Sequence, residues 1–306
     1  MAKKKIVTII ILNYNGKLDT LECLESLTKL VSDALEIRIL VVDNASSDDS
    51  VRSIKKKFPK VKVVANRENL GFCEGNNLGA AEAFRSGSDY ALILNNDTYV
   101  DPDLVEKLVA NLEAEKGDIA SPKILFAPGF EFHRGKYADA QRGKVIWYAG
   151  GEIDWANVLP HHRGVDEVDH GQYDKPEKTS FVTGCATLLN KKAYETVGLY
   201  DPVYKFYFED ADFSLRAASN GLKVLYLPMA KLWHKNASSF GGSGSPFQDY
   251  FVSRNRLIFG LRYAPLRSKI ALLKESLRFL LKGPPLRRRA IADALLRRTA
   301  DLQTLR

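Results

Sequence analysis

Residues 90–97 read Y-A-L-I-L-N-N-D, an apolar run that stops abruptly at Asn95, Asn96 and Asp97. A short apolar run without alternation reads as a strand buried on both faces, as a parallel sheet requires. Three earlier runs share this character: I-V-T-I-I-I-L (6–12), I-R-I-L-V-V (37–42) and V-K-V-V (61–64). Helical patterns fall between them, near 18–30, 48–57, 74–86 and 101–115. The last opens on Asp101-Pro102, which predicts a capping carboxylate and a proline at the first helical position. Repeated β-α units predict an open α/β sheet flanked by helices, with its ligand crevice beyond the carboxyl ends of the strands. Each strand is followed there by polar residues. Asn13-Tyr14-Asn15-Gly16 follow the first and Asp43-Asn44-Ala45-Ser46-Ser47 the second; Asn66 to Gly71 follow the third and Asn95-Asn96-Asp97 the fourth. Turn chemistry accounts for one such end. Four ends of one sheet point to a shared site.

The 306 residues are enough for one large domain or one and a half. Lys and Arg exceed Asp and Glu by eight. Residues 262–306 hold twelve basic against three acidic residues, so the excess belongs to the tail and the rest is nearly neutral. Three scattered cysteines without C-x-x-C spacing favour a reducing compartment over a disulfide framework. The apolar run 6–12 is too short and β-branched for a signal-peptide core, and no stretch approaches the ~18 apolar residues of a spanning helix. The expectation is a cytoplasmic chain that could at most lie on the inner face of a membrane. The N-x-S/T matches at Asn44, Asn96 and Asn236 are then chance.

From 126 to 178 the pattern breaks; short hairpins or one long loop fit equally well. His133, His161, His162 and His170 fall here without metal-ligand spacing and read as surface residues. T-S-F-V-T-G-C-A-T-L-L (179–189) reads as a strand, followed by a helix from Lys191 to Val197 ended by Gly198. In F-Y-F-E-D-A-D-F-S-L-R, apolar Phe208, Ala211, Leu215 and Ala218 recur at helical spacing, with Gly221 past the end. Glu209, Asp210 and Asp212 crowd its first turn. The helix dipole suits one of them, but like charges held close raise one another's pKa, and a carboxylate so tuned can serve as a base. L-K-V-L-Y-L-P (222–228) is another strand, M-A-K-L-W-H leads to His234, and F-G-G-S-G-S-P (240–246) reads as a mobile loop or a linker.

Two phosphate-binding devices are missing. There is no G-x-x-x-x-G-K-[ST], and the first β-α turn, N-Y-N-G-K-L-D, has one glycine where a dinucleotide fold wants three. If phosphate is bound, a divalent cation held by Asp97 would neutralise it, since magnesium and manganese prefer carboxylate oxygens.

T-I-I-I-L-N-Y-N-G, V-V-D-N-A-S-S-D-D-S, N-L-G-F-C-E-G-N-N-L-G, L-I-L-N-N-D and F-E-D-A-D-F-S-L-R, in this order, resemble the family-two glycosyltransferases of GT-A fold, and within them the rhamnosyltransferase-type branch. The resemblance covers roughly residues 5–262. It implies a catalytic domain over 1–262 with a Rossmann-like nucleotide-sugar half (1–125) and an acceptor half (126–262), followed by a basic helical tail (263–306). It further implies that Tyr14 flanks the base and Asp43 hydrogen-bonds the pyrimidine or ribose, while Asn69 and Gly71 line the same pocket. Asn95 and Asn96 would stand beside the diphosphate and Gly184 beside the donor sugar. Asp97 and His234 would hold a Mg²⁺ or Mn²⁺ ion. Asp210 would be the general base, with Glu209 its neighbour at the acceptor. Asn95 departs from the family's D-x-D pattern and weakens the expected metal site. The implied reaction is inverting transfer of a sugar, rhamnose from dTDP-rhamnose by resemblance, to a saccharide or lipid-linked acceptor in surface polysaccharide synthesis. A UDP-hexose donor and a non-catalytic sugar-nucleotide-binding protein are the alternatives.

In the tail, Leu266, Ile270, Leu273, Leu277, Leu280 and Leu281 keep to one helical face while Arg267, Lys274, Arg278 and Lys282 keep off it. Gly283-Pro284-Pro285 breaks that helix and Arg287-Arg288-Arg289 opens another. The apolar stripe would lie on an anionic membrane, pack on the catalytic domain, or meet a second copy in a homodimer. No nucleic-acid-binding module is present.

Overall fold

A computed structural model describes residues 4–133, 135–236 and 244–300. In chain order the elements are β1 (Lys5–Asn13), α1 (Lys17–Leu27), β2 (Leu35–Asp43), α2 (Ser50–Lys57), β3 (Lys62–Ala65), α3 (Gly71–Arg85), β4 (Tyr90–Asn95), β5 (Thr98–Val100), α4 (Leu104–Ala114) and β6 (Ile119–Phe126). Then come β7 (Ile146–Tyr148), β8 (Gly151–Asp154), β9 (Leu159–His162), β10 (Glu177–Lys178), β11 (Ala186–Asn190), α5 (Lys191–Val197), α6 (Glu209–Ser219) and β12 (Val224–His234). Helices α7 (Pro246–Tyr263), α8 (Leu266–Lys282) and α9 (Pro285–Leu295) follow.

The main path of the central sheet runs β10-β12-β6-β11-β4-β1-β2-β3. β1 to β4 are parallel, as their unbroken apolar faces predict, and β6 and β12 run the same way. β11 runs against both its neighbours, β4 and β6. Residues on both sides of position 126 therefore contribute to one sheet. Its strand ends are flush: Asn13 pairs with Asp43, Leu12 with Asn95, and Phe126 with His234. Because β11 is antiparallel, the residues just before it arrive at the same end.

Several expectations shift. The run 179–189 is not one strand: the β11 ladder begins at Ala186, and the stretch before it crosses the end of the sheet. Its backbone bonds partly to other backbone, as at Thr179 N to Val224 O and Ser180 N to Gly151 O, and partly to side chains. Tyr148 Oη donates to Phe181 O (2.7 Å), Val182 N donates to Ser214 Oγ (3.0 Å) and Thr183 N to Ser121 Oγ (3.1 Å). The helix expected from Asp101 starts at Leu104; Asp101 and Pro102 form the turn before it, and no side chain caps it. The strand 222–228 continues to His234 past an irregularity between Leu227 and Lys231. Residues 126–178 contain the β8–β9 hairpin and two short edge strands. In α6 the buried face is not the predicted apolar stripe: Glu209, Ala211, Asp212, Phe213, Ser214 and Ala217 are buried and Leu215 is only partly so. Of the tract 240–246, residues 240–243 lie outside the described residues, while Ser245 caps α7 and Pro246 opens it.

Candidate active site

At the carboxyl edge of the sheet lies a cavity of about 480 Å³, a size suited to a small ligand. Of the residues expected at the site, Tyr14, Asn69, Gly71, Asn95, Asn96, Asp97, Gly184, Glu209, Asp210 and His234 all line it. Asp43 does not. Its carboxylate is buried and accepts from Asn13 Nδ2 (2.7 Å), Ser46 Oγ (2.6 Å) and Ser46 N (2.9 Å). It thereby fixes the loops after β1 and β2, and its neighbour Asn44 lines the wall. Asn44 in turn donates to Gly71 O (2.9 Å) and accepts from Asn66 Nδ2 (2.9 Å).

Asp97 and His234 meet on one side, with His234 Nε2 3.0 Å from Asp97 Oδ1 and both side chains buried. Burial alone would lower the imidazole pKa, but the Asp97 charge, with the Cys185 thiol beside the ring, holds it well above its ordinary value. His234 Nδ1 makes no hydrogen bond. A buried carboxylate and imidazole that face each other fit a divalent cation, which would take Asp97 Oδ1 and the deprotonated His234 Nε2 in place of the proton between them. Among the described residues no group of three or more His, Cys, Asp or Glu side chains could hold one, so two protein donors would need oxygens of a ligand to complete the shell. The described lining also contains no Lys or Arg against three carboxylates.

Across the cavity stand Glu209 and Asp210. Asp210 Oδ2 accepts from Gly184 N (3.1 Å) and Oδ1 from its neighbour Ala211 N (2.8 Å). Burial raises the Asp210 pKa while these N–H groups oppose the rise. Glu209 is pushed well above the carboxylate range by burial and then by the Asp210 charge, and its Oε2 has no partner. Burial therefore opposes charge on both carboxyls, and the two N–H groups favour it on Asp210 over Glu209. The third carboxylate, Asp212, turns away from the cavity: it accepts from Arg216 Nε (2.7 Å), Tyr263 Oη (2.7 Å) and Arg262 Nη1 (3.1 Å).

One histidine besides His234 reaches the cavity. His162, expected at the surface, lines the cavity, its Nδ1 3.1 Å from Trp147 O. Burial lowers its pKa to about 4, so it is neutral at physiological pH. Trp147 contacts both histidines edge-on, at 4.3 Å from His162 and 4.5 Å from His234 between ring centroids. With Phe132 and Val165 these residues form an apolar wall. No spacing in the sequence signals them, because the hairpin that brings His162 in has no regular pattern.

The family model "Glycosyl transferase family 2" matches residues 8–198. The chain belongs to that family. The glycosyltransferase is 24% identical over 265 residues to "dTDP-rhamnosyl transferase RfbF" of Shigella flexneri, covering 84% of this chain and 81% of that one. It is 21% identical over 215 residues to the "N-acetylglucosaminyl-diphospho-decaprenol L-rhamnosyltransferase" of Mycobacterium tuberculosis, covering 67% of this chain and 68% of the other. Among solved structures, GalNAc-T7 with UDP, GalNAc and Mn²⁺ superposes with a TM-score of 0.61 at 16% identity, over 93% of this chain and 59% of that chain. The mannosyltransferase PcManGT from Pyrobaculum calidifontis, with GDP-Man and Mn²⁺, gives 0.55 at 16% identity over 99% of this chain and 79% of that one. The fold is GT-A.

Proposed function

We propose that this glycosyltransferase moves rhamnose, with inversion, from dTDP-rhamnose to a saccharide or lipid-linked saccharide acceptor, assisted by Mg²⁺ or Mn²⁺. The observation that carries the reading is the composition of one cavity: Asp210, held by backbone N–H groups, shares it with the Asp97–His234 pair and with no Lys or Arg among the described lining residues. Asp210 takes the proton of the acceptor hydroxyl as that oxygen bonds to the anomeric carbon. The bond from that carbon to the diphosphate breaks, and its electron pair leaves with the nucleoside diphosphate. Burial and the Asp210 charge push Glu209 toward its protonated form, in which it is a poor nucleophile, and this supports single displacement over a covalent intermediate. A cation bound at Asp97 and His234 would supply the positive charge that no Lys or Arg of the described lining offers a diphosphate. Tyr14, Asn44, Asn69 and Gly71 would hold the nucleoside, Asn95 and Asn96 the diphosphate region, and Gly184 the donor sugar.

The names of the relatives favour rhamnose. A UDP-hexose donor is the second reading, favoured by a likeness to S. aureus TarS in complex with UDP, at 17% identity. A panel of nucleotide sugars tests both by thermal shift and turnover, with and without EDTA. We expect stabilisation and turnover with one donor, loss of both on chelation, and a fall of ~10²- to 10⁴-fold in turnover for Asp210→Asn with nucleotide binding retained. Full transfer by Asp210→Asn would remove the base assignment.

A further inference from the structure

The segment that carries Glu209 and Asp210 to the cavity is strained. Lys205, Tyr207 and Phe208 have φ of 59°, 64° and 69°, a left-handed region that residues with a Cβ adopt only when their surroundings hold them there. Besides bonds of the backbone to itself and to Cys73 N, one side chain of α7 holds them. Asn255 Nδ2 donates to three carbonyl groups of this segment, Tyr204 O (2.9 Å), Phe206 O (2.6 Å) and Tyr207 O (3.0 Å). The amide cannot be turned round, because its Oδ1 already accepts from Arg254 Nη1 (2.6 Å), which also donates to Val203 O (2.7 Å). Asn255 is fully buried and does not line the cavity. An aspartate there would set a carboxylate against three carbonyl oxygens.

We infer that Asn255 is a positioning residue for transfer: its amide holds the strained backbone of 204–208 in the arrangement that presents Asp210 to the acceptor. This rests on the reading of Asp210 as the base. The nucleoside residues come from other segments, after β1, β2 and β3, so losing the clamp should spare them.

The test compares wild type, Asn255→Ala and Lys205→Gly/Asn255→Ala. Lys205 does not line the cavity, and glycine adopts its φ without strain, so the double variant needs the clamp less. We expect Asn255→Ala to lose at least about tenfold in kcat with donor KM changed by less than about twofold, and the glycine to restore several-fold of the loss. Amide hydrogen exchange across 203–210 should quicken in Asn255→Ala and slow again in the double variant. Wild-type kcat in Asn255→Ala, or a joint loss of kcat and KM that glycine does not relieve, would overturn the inference. If Asn255→Ala does not fold, Asn255→Gln, which keeps the donors but displaces them, enters the same comparison. If the wild type transfers no sugar at all, the functional reading fails by itself; unchanged exchange in Asn255→Ala would then sink the clamp separately.

Discussion

Two backbone N–H groups point at Asp210, those of Gly184 and Ala211, while Glu209 Oε2, one residue earlier, receives none. That difference separates two carboxyls that look interchangeable in the sequence. The native pKa of Glu209 lies well above its unfolded value, so the folded state keeps a proton there that the unfolded state releases. Stability is therefore lost as pH rises from the unfolded pKa toward the native one. Glu209→Gln removes this dependence. We expect its melting temperature to match wild type near about pH 4 and to exceed it at about pH 8, as calorimetry can show. Equal melting temperatures at both pH values would mean Glu209 is ionised in the native protein. At this scale the sequence was informative where a residue's place follows from a strand end: Tyr14, Asn69 and Asp97 sit at the cavity because the sheet delivers them. It did not show which way a side chain turns, as at Asp43, and it placed at the surface a residue that a loop brings in, as at His162.

Among the elements, the four parallel strands were legible because each is buried on both faces and so carries an unbroken apolar run. β11 was not separable from its approach. Residues 179–185 are as apolar and β-branched as a strand, but their hydrogen bonds go to Tyr148, Ser214 and Ser121, partners far away in the chain. The same crossing places Gly184 against Asp210. Helix–sheet contact is tight elsewhere: a Cβ on Gly79 of α3 would press on Ile10 Cγ2 and lie 3.2 Å from Val42 Cγ2. Ile10 and Val42 are fully buried and cannot retreat into solvent. Gly79→Val should therefore cost about 2–3 kcal/mol by overpacking, read as a lower urea midpoint at unchanged slope. A midpoint like wild type would show that α3 can lift off the sheet.

For the molecule as a whole, the tail is where structure adds most. Most of the stripe predicted along α8 is not packed on the rest of the protein: Leu266 is 73% exposed, Leu277 58% and Leu281 68%, while Leu280 is partly buried against the core and Leu272 and Ser276 face inward. Arg267, Lys274, Arg278 and Lys282 border the stripe on the solvent side. Among the described residues no helix is long and apolar enough to cross a membrane. We propose that this face lies on an anionic bilayer, which matches its charge and would bring the cavity to a lipid-linked acceptor. Flotation with phosphatidylglycerol vesicles should recover wild type and lose most of Leu273→Ser/Leu277→Ser. Equal flotation of both, or dimerisation through the stripe in solution, would remove the proposal. The insertion of β11 between β4 and β6 also has a meaning for synthesis. The two strands flanking it are made 60 or more residues earlier, so until 186–190 emerge from the ribosome the growing sheet holds an unfilled slot with two bare edges. Bare edges are templates for wrong pairing. The strand that follows Gly184 is thus also the stitch that joins the two parts of the sheet, and it covers both of those edges in one step.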